Sequence, residues 1–89
     1  MNLSKEIAKN FPKIEKFFTE DTLAEFSAAP DCHLPEYHVG LGTMIRLKLL
    51  AGNSVLYKTF VRCGFASRDD MALEVIREFH RHVNGMRGL

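Results

Sequence analysis

The chain has 89 residues, 46% of them apolar and 26% charged, and a formal net charge of +1. Seven Phe, two Tyr and abundant Leu, Ile and Val supply the apolar surface that folding requires, which excludes an intrinsically disordered chain. A chain this short buries about two-thirds of its unfolded surface, leaving little volume for the deep cleft of a large enzyme.

In chain order, Ser4 is a candidate N-cap, and Ile7, Phe11, Ile14, Phe17 and Phe18 recur at the spacing of one buried helical face. Pro12 either kinks one helix or opens a second at its first turn, where its missing N–H costs nothing. Thr19 caps the next helix, with Glu20 and Asp21 at the positive end of its dipole and Leu23 and Phe26 pointing inward. Pro30 ends that segment, and Asp31 to Pro35 reads as a loop. From about Glu36 to Leu50, the residues Tyr37, Leu41, Met44, Ile45 and Leu49 follow helical spacing. Gly52 stops this helix and Ser54 caps the following one, which presents Leu56, Phe60 and Cys63 on one face and closes at Gly64. Ser67 then caps the last helix by reaching the Asp70 amide, and Ala72, Val75, Ile76, Phe79 and Val83 form its apolar stripe. Gly85 is the expected terminator. These signals predict an all-α fold, a compact bundle of four or five short helices, with residues 1–89 as a single helical domain whose ends, 1–3 and 86–89, are frayed.

Two cysteines, Cys32 and Cys63, are too few for a disulfide scaffold, so reduced thiols are expected. Cys63 reads as a small buried hydrophobe. The polar start from Met1 to Ala8 has no apolar stretch of a secretory signal, and no apolar run approaches the roughly 20 residues of a membrane span. A cytoplasmic address, bacterial or host, is the expectation.

Candidate chemistry is sparse. Cys32, His33, His38, Cys63, His80 and His82 are all potential zinc ligands, but Cys32 and His33 are adjacent and His80 and His82 lie about 200° apart on a helix. No metal and no cofactor are expected, and His80 and His82 read as exposed or helix-end histidines. Asp69 and Asp70 diverge on a helix and suit its N-terminal dipole better than acid–base catalysis. An enzyme would need His38 to converge with Cys32 or an Asp in a pocket, and no catalytic residue is assigned. Gly40-Leu41-Gly42 lacks the lysine of a phosphate loop. Its glycines fit close approach by a bulky ring, for which Tyr37 and Phe60 are candidates, or an irregular helix start with free amides facing His38 or solvent.

Charge is more informative than its sum. Residues 1–36 hold four basic and seven acidic side chains, a balance of −3, whereas 37–89 hold eight basic and four acidic, a balance of +4. The near-zero total is therefore a cancellation, and two oppositely charged parts suit association and steering. Met44 to Val61 also has the outline of a helix-turn-helix, although Lys48 and Lys58 fall at positions that are normally small or apolar.

Tyr37-His38-Val39-Gly40-Leu41-Gly42 with Ile45-Arg46, followed by Gly64-Phe65, Asp69-Asp70-Met71 and His82-Val83-Asn84-Gly85, resembles an uncharacterised small bacterial and phage-associated domain family. That family carries a Tyr-His-x-Gly-Leu-Gly-x-x-Ile-Arg motif and a later Pro-Asp-Asp-Met motif that opens the last helix. The resemblance covers roughly residues 13–85. This chain departs from it at Thr43-Met44, where an aromatic is common, and at Arg68, where Pro commonly precedes Asp69. The resemblance implies a shared helical fold and no activity. On physical grounds Arg46 can pair with Asp69 or Asp70 and tie the two blocks together.

The expected function is a small non-enzymatic protein-interaction module, such as a phage or mobile-element inhibitor that occludes a surface of a host defence complex. Tyr37, His38, Arg46, Lys48, Lys58 and Arg62 are its expected contact residues, and Gly40, Gly42, Asp69 and Asp70 its structural motif. The alternative is a nucleic-acid-binding regulator that uses the basic segment 46–62. No membrane partner is expected, and a homodimer stands as a further alternative.

Overall fold

The computed structural model describes residues 2–87. It contains six α-helices and one 3-10 helix, in the order α1 (Leu3–Ala8), α2 (Phe11–Glu15), α3 (Glu20–Ala28), the 3-10 helix (Asp31–His38), α4 (Leu41–Lys48), α5 (Val55–Arg62) and α6 (Arg68–Arg87). Among the described residues there is no strand. Five of these elements have eight residues or more, as a bundle of four or five helices requires.

Local chemistry explains most of the boundaries. Asn2, and not Ser4, caps α1 by accepting from the Lys5 amide; Ser4 lies inside the helix and donates to Glu78 Oε1 on α6 at 3.1 Å. Pro12 sits in the first turn of α2, so a second helix opens there and the chain does not bend one long one. Thr19 and Thr22 form a reciprocal capping box at the start of α3. Ser54 caps α5 through the Tyr57 amide. Ser67 accepts from the Asp69 amide and not, as expected, from that of Asp70.

The structure corrects several expectations. Asp31–Pro35 is not a loop but part of a 3-10 helix that runs on through Tyr37 and His38, so α4 starts only at Leu41, with Gly40 at its cap. Met44 follows the spacing of the buried face yet lies exposed. Cys63 is exposed rather than buried. Gly64 turns the chain at φ +95° and returns the Phe65 amide to the Phe60 carbonyl at 3.1 Å, so the Phe65 ring takes the apolar place beside Phe60, 4.8 Å away. Gly85 does not end α6, which continues to Arg87. In the segments 1–3 and 86–89, Leu3 begins α1 and Arg87 is the last residue of α6, while Met1, Gly88 and Leu89 lie outside the described residues.

The core gathers on α6, which touches α1, α3, α4 and the 3-10 helix. Its expected stripe of Ala72, Val75, Ile76, Phe79 and Val83 is buried, joined by Met71. Phe79 sits amid Phe11, Phe18 and Phe26 at ring separations of 5.6, 5.9 and 5.7 Å. Burying each such ring contributes about 1.5–3 kcal/mol.

Candidate functional site

The first sequence block lies where the 3-10 helix hands over to α4. His38 rests on Gly42, where an added Cβ would stand 3.1 Å from its Nδ1. Close approach is therefore what Gly42 provides, and the ring that uses it is His38, not Tyr37 or Phe60. A Cβ on Gly40 would meet nothing within 4 Å.

Arg46, on α4, reaches the second block at the start of α6. Its Nη1 pairs with Asp69 Oδ1, its Nη2 donates to Thr43 Oγ1 at 3.0 Å, and Thr43 donates in turn to the Val39 carbonyl. His38 Nε2 lies 3.7 Å from the same Asp69 oxygen. Asp69, rather than Asp70, is thus the partner of Arg46. One half of the geometric condition for catalysis, a His beside an Asp, is met here. The Asp69 oxygen that faces His38 is already held by Arg46, and the Thr43 hydroxyl is engaged on both sides, so the arrangement works as a clamp between α4 and α6. Asp69 is 61% exposed at its side chain, so solvent screening limits the pair to at most about 1 kcal/mol.

The six expected contact residues differ in their surroundings. Tyr37 packs edge-on against Phe26 at 4.9 Å; burial first, then the carboxylates of Glu25 and Glu36, push its hydroxyl above the ordinary tyrosine range. Tyr37, His38 and Arg46 are thus engaged within the molecule. Lys48 is exposed on α4, and Lys58 and Arg62 are exposed on α5. The main packing partners of α4 are α6 and the 3-10 helix, and that of α5 is α1, unlike the tightly crossed pair of a helix-turn-helix.

Two residues carry more of the architecture than their sequence context suggests. His80 is buried on α6, neither exposed nor at a helix end. Its Nε2 lies 2.7 Å from the Ala29 carbonyl, which can only accept, so a ring proton sits on Nε2. Its Nδ1 is 3.3 Å from Asp31 Oδ1, a pair that is ionic when the ring is doubly protonated, and its ring meets Phe26 edge-on. Together these contacts latch α6 to the junction of α3 and the 3-10 helix. The spacing carries a signal for this burial, since His80 follows Ile76 by four and shares its face. His82 instead stacks on Phe11 at 4.4 Å. Arg68 donates from Nε to the Leu50 carbonyl at 3.2 Å and from Nη2 to that of Gly52 at 3.4 Å, and lies 4.2 Å over the Tyr57 ring. It fastens the α4–α5 turn to the start of α6.

Two hollows adjoin His80: one of about 140 Å³, lined also by Asp31, Leu34, Arg77 and Arg81, and a wider, shallower one of about 460 Å³, lined also by Ala29, Pro30, Asp31 and Asn84. Among the described residues no three His, Cys, Asp or Glu side chains converge on a metal position, and no buried side-chain polar atom lacks a partner. Among the same residues no helix is long and apolar enough to cross a membrane.

The outward side of α4 is different. Val39, just before the helix, is 81% exposed, Leu47 is 65% exposed, and Met44 is also exposed, with Lys48 beside them. On α5, Val55 and Val61 are exposed with Lys58 between them. Between Glu36 and Asp69 the chain has five basic residues, Arg46, Lys48, Lys58, Arg62 and Arg68, and no acidic one.

A family model described as "Domain of unknown function (DUF6794)" matches residues 5–83, a span that takes in the Tyr37–Arg46 and Asp69–Met71 blocks. No curated protein and no solved structure matches the chain.

Proposed function

We propose that this chain, which belongs to the domain family DUF6794, is a non-enzymatic protein-interaction module that works by covering a surface of its partner. In its narrowest form it is a small inhibitor, carried by a phage or mobile element, that occludes part of a host complex. One observation supports this reading above the others: α4 keeps Leu47, Met44 and the preceding Val39 in solvent while its opposite side, Leu41, Ile45 and Leu49, is buried. A helix that is apolar on two sides has one side more than its own fold uses.

Nucleic-acid binding through segment 46–62 draws on the acid-free basic run. On α4, however, the exposed side holds the apolar Leu47 and Met44, and Arg46, one of the cations beside them, is already paired with Asp69. The test is affinity capture from the native host with the wild-type chain and with a Leu47→Asp variant, each with and without nuclease. The module reading expects a defined protein complex that survives nuclease treatment. Recovery of nucleic acid, or a complex lost on nuclease treatment, would overturn it in favour of the regulator.

A further inference from the structure

The composition of the outward face of α4 specifies what it can bind. Successive helical residues lie about 100° apart, so Arg46 and Lys48 flank Leu47 on either side, with Met44 one turn back between Leu47 and Lys48. Arg46 is already held by Asp69 and Thr43. The cation that this face offers a visitor is therefore Lys48, beside an apolar strip of Val39, Met44 and Leu47. The same combination recurs on α5 in Val55, Val61 and Lys58.

Charge decides between occupants. A second copy docking through the same face would set Lys48 against a face whose adjoining carboxylate, Asp69, is already held by Arg46. A nucleic acid would bring phosphates onto Leu47 and Met44. A bilayer surface would meet a helix of eight residues, about 12 Å long, with two large apolar side chains, too little for stable insertion. A surface with apolar anchors and flanking carboxylates satisfies both features at once.

We infer that the outward face of α4 is a docking site for an acidic amphipathic helix of a partner protein, whose apolar residues at helical spacing cover Val39, Met44 and Leu47 and whose carboxylates meet Lys48. This rests on the reading of the chain as a protein-interaction module and names the partner's chemistry. It assigns binding to Leu47 and Lys48, and leaves Arg46 and His38 to hold α4 against α6.

The experiment is an NMR titration of the full chain with synthetic helices that carry Leu along one face and either Glu or Lys elsewhere. Duplex DNA and vesicles of anionic phospholipid serve as separate probes. The Glu helix is expected to shift amides of residues 39–48, with affinity falling as salt rises. Lys48→Glu is expected to weaken it about tenfold, the equivalent of about 1.4 kcal/mol, and Leu47→Asp to abolish it. The milder Leu47→Ala should weaken binding while the spectrum away from α4 stays that of the wild type, which separates a lost contact from a lost fold. Equal binding of the Lys helix, shifts confined to other parts of the molecule, no shift with the Glu helix at millimolar concentration, or the same shifts produced by DNA or vesicles in its place would each overturn the inference. Its failure is distinguishable from that of the module reading: a nuclease-resistant protein complex retained by Leu47→Asp removes this site and leaves the module intact.

Discussion

Phe79 on α6 is fully buried among three other phenylalanine rings, whereas Leu47 on α4 keeps 65% of its surface in solvent. Both are large apolar residues on helices, and both helices pack against neighbours. The difference is in how many sides are covered. α6 has α1, α3, α4 and the 3-10 helix around it, while α4 has α6 and the 3-10 helix as its main partners. An apolar residue is thus a core residue only when the topology brings an element to its side of the helix, and α4 has more apolar surface than neighbours.

The contrast can be broken by substitution. The largest effect is expected from Phe79→Ala, which should cost about 3–5 kcal/mol in denaturant unfolding through lost burial and a residual cavity. Next comes His80→Ala, expected to cost about 1–3 kcal/mol because the Ala29 carbonyl loses its donor at a buried site. A smaller value falls on the clamp: a double-mutant cycle on Arg46→Ala and Asp69→Ala should return a coupling of at most about 1 kcal/mol, shrinking with salt, while the same cycle with Asp70 returns none.

The Tyr37 hydroxyl supplies a pH test of the buried side. Its ionisation is pushed above the ordinary tyrosine value by burial, then by Glu25 and Glu36, whereas in the unfolded chain it ionises near about pH 10. Its contribution to stability is therefore complete below about pH 10 and is lost as pH rises through the higher folded value. Unfolding followed from about pH 8 to about pH 11, a window around the ordinary tyrosine value, should show a steeper alkaline decline in the wild-type chain than in Tyr37→Phe.

Much of the fold is legible in the sequence because its signals are local. Thr19, Ser54 and Gly64 announce themselves through caps and a left-handed turn, and Pro12 through its missing donor. The α6 stripe follows from spacing alone. The 3-10 helix is not legible, because its three-residue turn leaves no 3.6-residue apolar period and because Pro35 reads as a breaker. Cys63 looks buried only if helical spacing is carried one residue past Arg62, where α5 ends, before Gly64 swings Phe65 over Phe60. Arg68 joins Leu50 and Gly52 across the structure, a contact no local pattern encodes.

The same limit governs the site. Arg46 and its pairing with the start of α6 follow from charge and chemistry, and the structure selects Asp69 as the partner. Lys48 and Lys58 stand out by charge. Leu47 does not, since a lone Leu beside a helical stripe looks like core until its neighbours are known, and Met44 has core spacing yet lies exposed.

The claim that α4 folds with one side and binds with the other is tested most directly by measuring thermal unfolding and Glu-helix binding together on Leu47→Asp. The account predicts stability within about 0.5 kcal/mol of wild type, as for an ordinary surface substitution, and no binding. A loss of stability comparable to that of a core substitution, or binding that persists unchanged, would contradict it.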